Sequence, residues 1–117
     1  MPGTHSISLD TAIEMTTKYR DEKENILLPV HWEKNILAKS EAFERDAIQF
    51  LLDQADCQKI RVYYGMNADL KVHAILVGVN SADEDILPQE SNTEDGEIVE
   101  QGLRCPTMCP PASPLND

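Results

Sequence analysis

Two thiols four positions apart, in Cys105-Pro106-Thr107-Met108-Cys109, form the sharpest chemical feature of this sequence. Such a pair can converge on one soft metal ion or close a small disulfide loop. A tetrahedral zinc site wants four ligands. Only Cys57 and His73 stand out as a third and fourth. The spacing departs from the two-residue gap of zinc knuckles and thioredoxin-like motifs. The expectation is therefore reduced, free thiols on a proline-stiffened tail and no stoichiometric metal, with zinc on Cys105, Cys109, Cys57 and His73 as the alternative. His73 lies inside an apolar run, where a ring packed on a sheet face with one nitrogen satisfied is the simpler expectation.

The remaining chemistry-bearing residues are acids. Between Val72 and Leu103 there is no Lys or Arg, yet eight Asp and Glu occur. Asn80-Ser81-Ala82-Asp83-Glu84-Asp85 has the oxygen density of a calcium loop but lacks the central glycine and the terminal bidentate glutamate, so it reads as a turn. Arg61, Tyr63 and Tyr64 could form a stacking surface, although ordinary sheet packing is expected with so little positive charge around them. The whole chain has 10 basic against 21 acidic residues, a net of -11. Phosphate backbones and anionic lipids need a positive face, so neither nucleic acid nor membrane is expected as partner. A basic protein suits the charge better, with Asp83, Glu84, Asp85, Glu94 and Asp95 as expected contact residues.

The elements that must position these groups follow from periodicity. Ser8 or Asp10 can cap a helix reaching about residue 25, with Leu9, Ala12, Ile13, Thr16 and Tyr19 at intervals of three and four. Pro29 ends anything helical before it. The connector over residues 26–39 is expected to bury Leu27, Trp32, Ile36 and Leu37. Ser40 looks like the cap of a second helix over residues 41–54, with Phe43, Ala47, Ile48, Leu51 and Leu52 as its stripe. Residues 59–79 read as two strands joined by a polar turn, and the second strand is apolar enough to be central. An acidic arm follows, with one short edge strand expected at residues 97–104. Four prolines in the last twelve residues exclude helix or inner strand at the end.

The run LLDQADCQKIRVYYG, followed by AILVGVN, DEDIL and the CPTMCPP tail, resembles an uncharacterised family of small bacterial proteins. That resemblance covers nearly everything beyond the first helix. It implies that helix, hairpin and Cys-Pro tail belong to one unit, and it carries no activity and no site residue with it.

These readings predict an α+β fold: two N-terminal helices packed on a small, mainly antiparallel sheet, then an acidic arm and a Pro-rich tail. The division expected is a helix–hairpin domain at 1–87 and an acidic, Cys/Pro-rich segment at 88–117. No apolar run approaches the ~20 residues of a membrane span. The opening MPGTHSISLD has neither a basic nor an apolar signal region, and the cysteine count is odd, so a cytoplasmic location is expected. Without an acid, base and nucleophile set, the expected function is non-enzymatic: a protein-binding adaptor or inhibitor using the acidic arm or an open sheet edge. The alternative is a metal-binding or thiol-redox protein using Cys105 and Cys109.

Overall fold

A computed structural model describes residues 5–88, 98–99 and 102–116. Helix α1 spans Leu9–Glu22, and the Ser8 hydroxyl caps it by accepting from the Thr11 N–H at 3.0 Å. Its apolar stripe is only half-buried, and no residue of α1 is fully buried. Its side-chain ties to other parts of the chain run to loops: the Tyr19 hydroxyl donates to the Ala38 carbonyl, and Arg20 donates to that of Leu115. The connector turns through one 3-10 turn at Pro29–His31. It buries Ile36, leaves Leu27 and Leu37 half-buried, and leaves Trp32 exposed with its indole N–H on the Leu27 carbonyl.

The second helix starts later than its capping signal predicts. Ser40–Ala42 is a strand, β1, and helix α2 runs only over Arg45–Leu52. The cause is tertiary. The backbone of β1 pairs antiparallel with β6, Leu103–Cys105, a partner sixty residues away that local propensity cannot see. Phe43 therefore leaves the helix. Leu51 is fully buried on the sheet, while Phe50 and Leu52 face solvent.

The sheet core is the hairpin of β2, Lys59–Met66, and β3, Val72–Val79, in the register that pairs Lys59 with Val79 and Met66 with Val72. The polar turn holds itself together, because the Asn67 carboxamide oxygen accepts from the N–H groups of Asp69 and Lys71. Strand β3 is central, as its composition predicts. On its far side it pairs with β4, Asp85–Ile86, and β5, Ile98–Val99. The single edge strand expected at residues 97–104 is instead two pieces in two sheets, since β5 joins β3 and β6 joins β1.

Alternation assigns the faces. Ile60, Val62, Tyr64 and Met66 share one face with Val72, Ala74, Leu76 and Gly78, and α2 packs there. Gly78 lets that packing come close: a Cβ would lie 2.8 Å from Gln54 Nε2 and 3.0 Å from Cys57 Sγ, so both side chains would have to shift. Lys59, Arg61 and Tyr63 share the opposite face with Val77, Val79 and Asp85. The buried apolar core among the described residues is small, consisting of Ile36, Leu51, Leu76, Val77, Val79 and Cys105. No helix is long and apolar enough to cross a membrane among the described residues.

Candidate functional site

The cysteine expectation is corrected first. Cys105 and Cys109 are joined in a disulfide, so neither is a free thiol, and Cys105, at the end of β6 opposite Ser40 of β1, is only 2% exposed. Cys57 is the free cysteine, beside Gly78 at the crossing from α2 to β2. His73 lies five residues away along β3, roughly 16 Å of strand at about 3.3 Å per residue. Its Nε2 contacts the Asn67 amide at 3.2 Å. Cys57 and His73 therefore do not reach one ion, and the four-ligand zinc set is not assembled. Among the described residues no three His, Cys, Asp or Glu groups are placed to share a metal.

The acids expected to meet a partner are largely engaged within the chain. Asn80 folds the segment after β3 as a turn, its carboxamide oxygen accepting from the N–H groups of Ala82 and Glu84. The Glu84 carboxylate accepts in return from the Asn80 amide. Asp83 accepts from Lys59 Nζ at 2.7 Å and Arg61 Nη2 at 2.9 Å, so its carboxyl is held below the usual range by Lys59 first and Arg61 after it. Asp85 accepts from Arg61 Nη1 and from the Tyr63 hydroxyl, and that second bond raises the Tyr63 phenol. Arg61 and Tyr63 thus tie β2 to β4 across β3. Glu94 and Asp95 lie outside the described residues, as does most of the acidic arm.

One edge of the sheet has no strand partner among the described residues. The Asn67 N–H donates to the Lys71 carbonyl, and these two residues continue the β2–β3 register. In an antiparallel ladder, hydrogen-bonded and non-bonded pairs alternate. Arg61, Tyr63 and Gly65 therefore direct their backbone groups at β3, whereas Ile60, Val62, Tyr64 and Met66 direct theirs outward. The other side of the sheet is closed. The Val72 N–H donates to the Ile36 carbonyl at 2.8 Å, the Ala74 N–H donates to Glu41 Oε1 at 2.9 Å, and β5 and β4 pair with residues 76–79. Among the described residues, β2 pairs with β3 alone.

Of these outward-facing residues Ile60 is half-buried, whereas Val62, Tyr64 and Met66 are exposed, Tyr64 at 78% and Met66 at 61%. Beside them Val62 and Tyr64 wall a cavity of about 360 Å³, closed by Tyr19, Phe43 and Leu76 and bordered by Glu41. Spacing could not reveal this grouping, because Ser40 reads as a helix cap, residues 41–43 read as helix, and Tyr19 enters from another element. The alternation of Val62 and Tyr64 was the only signal available.

Compared with protein-family models, curated proteins and solved structures, the chain matches none.

Proposed function

We propose that this chain is a non-enzymatic protein-binding module, an adaptor or inhibitor, which takes an extended segment of a basic partner along the outer side of β2. The observation that carries this reading is the open edge itself. It is a strand of eight residues whose outward N–H and C=O groups have no partner among the described residues. Such an edge is a template for an added strand. Exposed Val62, Tyr64 and Met66 support it, since an added strand would cover them and recover apolar burial. The net charge of -11 favours a basic partner. The internal pairing of Asp83 and Asp85 moves the expected contact from those acids to the edge.

Val62→Pro tests this reading. Proline at 62 deletes an outward N–H and sets its ring against an incoming strand, while the bonds to β3, made by the flanking residues, remain. Peptides selected by panning a displayed library on the immobilised full chain should lose at least about tenfold in affinity for the variant, the equivalent of one or two hydrogen bonds. Undiminished affinity in a folded variant would place the binding surface elsewhere.

A further inference from the structure

The cavity beside the open edge adds a side-chain preference to the strand-addition reading, on which the following rests. In an added strand, residues opposite Val62 and Tyr64 project on the same face as those two, with Cβ atoms roughly 4.5–5.5 Å away. That is the face on which the cavity opens. At about 360 Å³ it sits at the small end of ligand clefts, which run from about 300 to 1,000 Å³, so it suits one long side chain better than a cofactor.

Its wall is mainly apolar: Tyr19, Phe43 and Tyr64 supply aromatic rings, and Glu41 supplies the one acid among the described lining residues. Glu41 Oε1 accepts the Ala74 N–H, and Oε2 is covered from solvent without a hydrogen-bond partner among the described residues. Arg104 is its direct neighbour across β1 and β6, but gives Nη2 to the carbonyls of Asn35 and Ile36. No ion pair neutralises Glu41 among the described residues. A carboxylate set in a covered wall acts on a nearby cation more strongly than a solvated one. Aromatic rings and a carboxylate that has no ion pair among the described residues together match a guanidinium, which stacks on aromatics and pairs with carboxylates. We infer that the cavity is a specificity pocket for an arginine side chain of an extended partner segment. The arginine stem lies along Val62 and Tyr64, and its charge faces Glu41.

The test uses the full chain and short blocked fluorescent peptides of alternating Val and Thr, with Arg, Leu or Glu at the centre, read by anisotropy near physiological ionic strength. There the Debye length of about 8 Å screens remote charges. The Arg peptide should bind at least about tenfold tighter than the Leu peptide, the worth of one charge-assisted contact. Glu41→Gln keeps an oxygen for the Ala74 N–H and should erase that preference while leaving the Leu peptide unchanged. Glu14→Gln, on the exposed face of α1, removes the same charge and should change nothing. If Glu41→Gln fails to fold, Tyr64→Ala at the exposed edge must reduce the Arg preference instead. Equal binding of all three peptides, or an Arg preference that survives Glu41→Gln, overturns the pocket and leaves the edge reading standing. Binding of none, or self-association of the chain through β2, overturns both.

Discussion

Asp83 gathers the two cations of β2 onto the turn that leads into β4, and it does so from a left-handed backbone conformation, φ 66°, that Asp tolerates better than most residues. Its lowered carboxyl has a definite consequence for stability. A group whose folded pKa lies below its unfolded value stabilises above the unfolded value, near 3.9 for Asp, and the contribution is lost as pH falls through the folded value. Asp56, lowered by the Ser81 hydroxyl and N–H, and Glu24, lowered by the Glu33 N–H, act in the same direction. Tyr63 acts in the other. Its raised phenol stabilises below about pH 10 and loses that contribution as pH rises through the folded value. Urea midpoints should therefore fall on acidification below about pH 4, in the carboxylate range. Asp83→Asn should lower the midpoint at neutral pH and converge with the parent chain once Asp83 is protonated in its folded and unfolded states. The difference is small, because an exposed pair is screened. A constant gap at every pH would mean that Asp83 acts through the turn backbone and not through its charge.

The elements divide by how local their causes are. The α1 cap at Ser8, the polar hairpin turn at Asn67 and the central place of β3 were legible because each follows from residues within a few positions. The start of α2 was not, because Ser40 and Glu41 form a capping signal that the pairing with Leu103–Cys105 overrides. The same pairing hid the cavity, since it takes Phe43 out of the expected helix stripe and Glu41 off the helix altogether. It also withdraws Cys105 from solvent, which the expectation of two free tail thiols did not foresee. Helix α2 offers a test of the observed packing. Leu51 is fully buried and Leu52 is 44% exposed. Leu51→Ala should cost about 2–5 kcal/mol, and Leu52→Ala within roughly 0.5 kcal/mol, as for a surface change. Equal losses in urea melts would mean that α2 is rotated from the orientation described.

For the whole molecule, a small buried core contrasts with many exposed large apolar side chains, among them Ile26, Leu28, Val30, Tyr64 and Met66. Contiguous apolar surface marks interaction sites, and Val62, Tyr64 and Met66 lie in succession along one face of β2. In the proposed reading the edge supplies backbone bonds and burial, and the net charge of -11 favours a basic partner, since Asp83 and Asp85 are already paired within the chain. Residue-resolved amide hydrogen exchange tests this most directly, since the register divides β2 by parity. In the free chain Arg61, Tyr63 and Gly65 should be protected, while Ile60, Val62, Tyr64 and Met66 exchange quickly. A bound extended peptide with a central arginine should protect that second set and leave the first unchanged. Fast exchange at Ile60, Val62, Tyr64 and Met66 in the complex, or protection already present in the free chain, would contradict strand addition at β2.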